Sequence, residues 1–250
     1  MKDRTKKNQL SFSEKWVNRS ASLYRLDHHN KYINEILELI DYSDAGRILE
    51  VGCGNGKVIE KMKSKTKKDV SITGIDISHE LLKEAKKSDE HNEITYFQSD
   101  AEKLPFNDNS FDVVMSISVL WYMYNPIETF NEVLRVLKPG GQFLVDFQNR
   151  YHISYVLDDL SGIINCWRKN KIYKEEKLIT RVSPLSVKRL LSRNDISGRI
   201  RGYYCVLPNY IPYLGDKGNF FKYFPYLNIG FSNSFLSMLC AKLVVIGEKL

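Results

Sequence analysis

Residues 48–58 read Ile48-Leu49-Glu50-Val51-Gly52-Cys53-Gly54-Asn55-Gly56-Lys57-Val58. A short apolar run beginning at Arg47 meets three glycines on alternate positions, and a helical segment follows to about Lys65. Glycines serve two ends in such a strand–loop–helix: the turn needs backbone angles that a Cβ forbids, and a ligand must come close to the main chain. A dinucleotide loop, G-x-G-x-x-G, fails by one position, because residue 57 is lysine and the third glycine is Gly56. Glu50 leads into the loop, which suits a ligand carrying positive charge better than one carrying two phosphates. Taken alone, the triplet would also fit a purely structural turn.

Outward from the loop, strand and helix patterns alternate. Strands are expected at Val70–Ile77, Ile94–Gln98, Phe111–Ser118 and Gln142–Phe147. Helices are expected at Glu80–Lys87 and from Pro126, where a missing N–H costs nothing, to the stop at Lys138-Pro-Gly-Gly141. This rhythm predicts right-handed βαβ units and an α/β fold, a doubly wound and mostly parallel sheet covered on both faces. Apolar residues from Trp16 to Ile40 recur at three- and four-residue steps, predicting a helical cap over Glu14–Ile40. The chain thus divides into an N-terminal cap (1–45), a ligand-binding core (46–149) and a C-terminal part (150–250), all within one domain. The last part holds a loosely patterned excursion, a short helix at Ser186–Ser192, and strands at Arg199–Val206 and Lys242–Glu248.

Two carboxylates follow the loop at informative places. Asp76 ends the second strand, about twenty residues on, where a carboxylate can accept both hydroxyls of a ribose. Helix capping is its other reading, a duty Ser78 can take instead. Asp100 follows the third strand, in reach of an adenine amino group, with Ala101 offering its backbone; its other reading is a cap for a short helix at Ala101–Leu104.

At 250 residues, 43% hydrophobic and 27% charged, the composition is that of a soluble globular protein. The net charge of +7 gathers between Arg168 and Arg201, where only Glu175, Glu176 and Asp195 oppose the basic residues. The four cysteines, Cys53, Cys166, Cys205 and Cys240, form no CxxC pair, so neither a metal site nor a disulfide framework is expected. The N-terminal stretch has no apolar core of the kind a secretory signal needs, and a cytoplasmic location is the expectation. Lys222–Lys242 is free of internal charge yet too rich in Pro, Asn, Ser and Gly to span a bilayer.

ILEVGCGNGKV, GIDIS, QSDAEKLPF, FDVVMSISVLWYM and LRVLKPGG, in this order between Ile48 and Val145, resemble the class I S-adenosylmethionine-dependent methyltransferases. The resemblance is to the broad subgroup that includes ubiquinone-biosynthesis methyltransferases. It implies a seven-stranded sheet with an antiparallel last strand and S-adenosylmethionine as cofactor. By the same resemblance Glu50, Gly52 and Gly54 line the methionine moiety, within a loop that also holds Cys53 and Gly56. Asp76 and Ile77 hold the ribose and flank the adenine, Asp100 and Ala101 meet the adenine edge, and Ser116 or Ile117 closes the loop near the sulfonium. Relatives often carry histidines after the fourth strand; Trp121 and Tyr122 stand there instead, and are expected with Tyr24 of the cap at the acceptor.

Methyl transfer is an in-line displacement, so alignment and exclusion of water matter most, and a base only when the nucleophile starts protonated. Candidate bases lie past the fifth strand: Asp146, Gln148, Tyr151 and His152, with His152 favoured because its ordinary pKa is near neutrality. The aromatic stretch Tyr210–Phe235 and the basic run suggest a small-molecule, glycan or lipid-linked acceptor with peripheral membrane contact. Neither an RNA-binding appendage nor an Asn-Pro-Pro-Tyr motif is present, so nucleic acid is not the expected partner. An RNA methyltransferase and a non-catalytic cofactor-binding module are the alternatives.

Overall fold

Ile48–Val51 is apolar without interruption apart from Glu50, because the strand it forms lies in the middle of a sheet and is buried on both faces. The computed structural model describes residues 27–67, 69–152, 180–193, 195–203, 231–232 and 240–250. Its elements run α1 (Asp27–Leu37), β1 (Arg47–Val51), α2 (Lys57–Lys63), β2 (Ser71–Asp76), α3 (His79–Ser88), β3 (Ile94–Gln98) and β4 (Phe111–Ser116). A single 3-10 turn (Leu120–Tyr122) leads to α4 (Pro126–Val136) and β5 (Leu137–Gln148). Then come α5 (Pro184–Leu191), β6 (Ile196–Tyr203), β7 (Phe231–Ser232) and β8 (Lys242–Lys249).

The sheet order is β3-β2-β1-β4-β5-β8-β6-β7. The first five strands are parallel, and β8 runs antiparallel to both β5 and β6. The expected antiparallel last strand is therefore present. An eighth strand joins the expected seven: the two-residue β7 pairs antiparallel with Arg201 and Gly202 at the edge. β5 also starts earlier than Gln142, because Leu137 already pairs with Phe111 before a register shift in the ladder. No helix forms at Ala101–Leu104, where the chain makes turns instead.

Each face carries its own core. Leu49, Val51, Val114, Phe143, Val145 and Val245 pack beneath α4 and α5, through Phe130, Val133, Val187 and Leu190. Ile48, Ile72, Val113, Met115, Leu144 and Val244 pack beneath α1, α2 and α3, through Ile33, Ile36, Ile59, Met62 and Leu82. This is the doubly wound arrangement, and the strand order reverses between β1 and β4. A crevice opens there at the carboxyl ends of the strands.

Local chemistry sets the helix starts. Asn125 caps α4, its side-chain oxygen accepting from Ile127 N and Glu128 N, and Pro126 takes the first turn. Ser78 caps α3 by accepting from Leu81 N. The same α4 clamps the loop that follows β3. Arg135 donates to Leu104 O (3.0 Å), Phe106 O (2.8 Å) and Asp108 Oδ1 (2.8 Å), while Leu104 N donates to Glu132 Oε2 (2.9 Å). Arg135→Ala is expected to lower stability by about 1 kcal/mol, since two backbone carbonyls lose a charged donor at a half-exposed site. Urea unfolding checks this, and an unchanged midpoint would show that water replaces the clamp at no cost.

The helical reading of residues 14–26, Tyr24 with it, lies outside the described residues, as do the excursion 153–179 and most of the aromatic stretch. Among the described residues no helix is long and apolar enough to cross a membrane. Cys53 is a buried free thiol, whereas Cys240 is disulfide-bonded. No disulfide framework is expected from the sequence; spacing along a chain says nothing about which thiols the fold brings together.

Candidate active site

The loop after β1 folds back onto the end of β2. Gly52 N and Cys53 N both donate to Ile75 O, at 2.7 and 2.8 Å. Gly52 has φ 78° and Gly54 φ 54°, in the left-handed region that side chains avoid. A Cβ on Gly52 would fall 2.3 Å from Val119 Cγ2, whereas one on Gly54 would meet no atom within 4 Å. Gly54 is thus bare backbone facing open space, a cradle that any side chain would fill.

Glu50 lies under this loop, 1% exposed, and among the described residues its Oε2 has no hydrogen-bond partner. Burial, reinforced by the nearby Asp76 carboxyl, pushes its pKa up to about 8. A buried carboxyl oxygen in this state lacks the partner such groups normally have, and a cationic group would supply one. Asp76 ends β2, its Oδ2 accepting from Gly54 N (2.9 Å) and its Oδ1 from Ser78 N (2.8 Å). Burial raises its pKa, against the amides of Ser78, Gly54 and Ile77, which favour the ionised form. Ser78 does the capping, so Asp76 is not the cap residue of α3. Even with these amides the carboxylate, which has about four lone-pair sites, keeps acceptor capacity.

Asp76 shares a cleft with Gly52, Ile75, Ile77, Ser99, Asp100, Ala101, Val119 and Met123. Asp100 Oδ1 accepts from Glu102 N (2.9 Å), an Asx turn that holds the Ala101 backbone at the cleft rim. On the β4 side, Ser116 Oγ donates to Val51 O (3.0 Å), tying β4 to the end of β1.

Against known proteins, residues 49–145 match the model of a methyltransferase domain family. Residues 49–145 are thus similar to a methyltransferase domain, the core expected of the class I S-adenosylmethionine-dependent methyltransferases. The chain is similar to 27-O-demethylrifamycin SV methyltransferase of Amycolatopsis mediterranei, 32% identical over 53% of this chain and 49% of that protein. It is also similar to a ubiquinone/menaquinone biosynthesis C-methyltransferase of Geotalea daltonii, 34% identical over 54% of this chain and 63% of the relative. The chain thus spans about half to under two-thirds of the length of these relatives. A crystal structure from Thermotoga maritima, a SAM-dependent methyltransferase described as a possible histamine N-methyltransferase, superposes with TM-score 0.67. That match covers 97% of this chain and 100% of the other at 16% identity, a likeness of fold.

The cleft gathers Gly52, Asp76, Ile77, Asp100 and Ala101, all singled out in the sequence. Cys53 instead turns its thiol into the core beneath the loop, and burial raises its pKa. Gly56 packs toward Tyr96 and Ala85 of the next layer, serving the turn into α2. Ile117 is buried in the core on the α1 face. Trp121 is buried near Lys242, and Tyr122 is half-buried beside it. Tyr151 is 56% exposed in the turn after β5, while His152 is 0% exposed, its pKa lowered by burial. Asp146 is enclosed, with Tyr32 Oη, Ser118 N and Lys242 Nζ all donating to it. Among the cleft residues, Ile75, Ser99, Val119 and Met123 were not singled out in the sequence. Ile75 and Ser99 adjoin named residues, whereas Val119 and Met123 are apolar side chains in a non-periodic stretch after β4 and carried only a weak signal.

Proposed function

We propose that this protein transfers the methyl group of S-adenosylmethionine to a small-molecule or lipid-linked acceptor. The buried Glu50 carboxyl, with an oxygen lacking any partner among the described residues and set under a bare-backbone loop, carries this reading. When bound, the cofactor supplies a methyl group on a cationic sulfur, a leaving group that needs no acid from the protein. Glu50 would hold its ammonium, Asp76 its ribose hydroxyls, and Asp100 with Ala101 its adenine edge, flanked by Ile77. Ser116 and Ile117 would close the methionine end. What remains for the protein is to align the acceptor and keep water out. Trp121 and Tyr122 are the acceptor-side residues of this reading. His152, neutral in its buried setting, is its base if the acceptor starts protonated, with Tyr151 beside it. Supporting a small acceptor, the two relatives above are named for rifamycin and quinone chemistry.

Calorimetric titration with S-adenosylmethionine is expected to show one site, and S-adenosylhomocysteine release over fractionated lysate should then reveal the acceptor class. No binding would end the proposal. The affinity should climb between about pH 6 and 8 with release of a proton, because Glu50, held near 8, must ionise to meet an ammonium. Glu50→Gln should flatten that dependence; an equally steep profile in the variant would remove Glu50 from the role. The same raised pKa makes Glu50 favour the folded state below its ordinary value of 4.5, an advantage lost as pH rises through about 8. Peripheral membrane contact is part of the proposal, through basic residues such as Lys188, Arg189 and Arg193 and through the aromatic stretch. Flotation with anionic vesicles at low salt tests it, and failure to co-float removes the membrane half.

A further inference from the structure

We propose that Asp146 is a positioning residue, the hub through which helix α1 is coupled to the cofactor loop; this rests on the cofactor reading above. Asp146 stands at the carboxyl end of β5, fully buried, and three elements converge on it. From α1, Tyr32 Oη donates to Asp146 Oδ2 at 2.7 Å. From the segment after β4, Ser118 N donates to Oδ1 at 2.6 Å. From the start of β8, Lys242 Nζ lies 3.4 Å from Oδ2 and donates to Ser118 Oγ at 3.0 Å. The Lys242 ammonium is also stacked 4.4 Å from the Tyr32 ring centroid and 4.7 Å from that of Trp121. Tyr32 in turn meets Tyr203 of β6 edge-on, with centroids 5.2 Å apart.

The hub holds a backbone conformation that serine does not choose by itself. Ser118 has φ 65°, uncommon for a residue with a Cβ, so its surroundings must impose it. Asp146 grips its amide and Lys242 its hydroxyl. The next residue, Val119, is thereby set against Gly52, and both line the cofactor cleft. A continuous path of contacts therefore runs from Tyr32 through Asp146, Ser118 and Val119 to Gly52. A buried lysine–aspartate pair is poor as pure stabilisation, since apolar side chains of similar volume commonly do as well. Its position, where the sheet's carboxyl ends meet α1, fits a positioning duty better.

Coupling of this kind is reciprocal: a ligand that fixes Val119 and Gly52 must also steady α1. Hydrogen exchange of the Asp27–Leu37 amides, with and without saturating S-adenosylhomocysteine, reads it directly. In the wild-type chain the nucleoside is expected to slow α1 exchange at least about tenfold. Tyr32→Phe keeps the ring over Lys242 and removes only the hydroxyl; it should bind the nucleoside within a few-fold of wild type yet lose that added protection. Asp146→Asn should weaken binding about tenfold and lose the protection as well. A role confined to stability would speed α1 exchange in both variants while leaving the ligand-dependent slowing intact, and that outcome overturns the proposal. So does unchanged α1 exchange in wild-type protein that binds the nucleoside. Absence of any wild-type binding would instead overturn the cofactor reading itself, so the two failures are distinct.

Discussion

Gly52→Ala is expected to lower stability by about 2–5 kcal/mol and to abolish measurable cofactor binding. Two effects add at this residue. Its φ of 78° places a new Cβ in the left-handed region, which costs about 1–2 kcal/mol for a residue other than glycine. That Cβ would also lie 2.3 and 2.6 Å from the two γ-carbons of Val119, and overpacking of this kind costs about 1–3 kcal/mol. Val119 has little room to yield, because it is β-branched and follows a serine whose amide is held by Asp146. Any relief must come from the loop, which would pull Gly52 N and Cys53 N off Ile75 O. Urea unfolding measures the first effect and calorimetry the second. A loss under about 1 kcal/mol with binding intact would mean that the loop can re-form in another shape. Adding Val119→Ala should recover part of the stability, since it removes the atoms struck.

Asp76→Ala should weaken S-adenosylmethionine binding by at least about 1.5 kcal/mol, somewhat more than tenfold. The carboxylate is expected to accept the ribose hydroxyls through charge-assisted hydrogen bonds, which are stronger than neutral ones. Its removal also frees Gly54 N and Ser78 N, so the loop loses a pin before any ligand arrives. Asp76→Asn separates the two duties. It keeps one acceptor for a backbone amide and loses the charge, so stability should fall less than in the alanine variant while affinity still drops. Binding unchanged in both variants would leave Asp76 as a loop anchor and take the ribose role from it.

How much of this was legible in the chain depends on how local each feature is. Alternating apolar runs and helical periods disclosed the doubly wound sheet, because strand and helix periods are written within a few residues. Asp76 and Ala101 were found for the same reason: each follows directly on the end of a strand, and in a parallel sheet all such ends share one edge. Cys53 shows the limit within a motif. Its position in the loop is plain, but whether its thiol faces the cleft or Gly74 depends on the twist of the turn, and it faces Gly74 at the core.

By itself the sequence determined the order of elements, the bare-backbone loop and the two carboxylates of the cleft, since each is specified by neighbours along the chain. Only the tertiary structure decided that Tyr32 would meet Asp146 across 114 positions and Lys242 would reach Ser118 across 124. Those meetings need β8 to insert between β5 and β6 and α1 to lie on the face that Asp146 presents. Strand order and register are set by burial summed over the whole sheet, and a single aspartate, lysine or tyrosine carries no local sign of where that sum will place it.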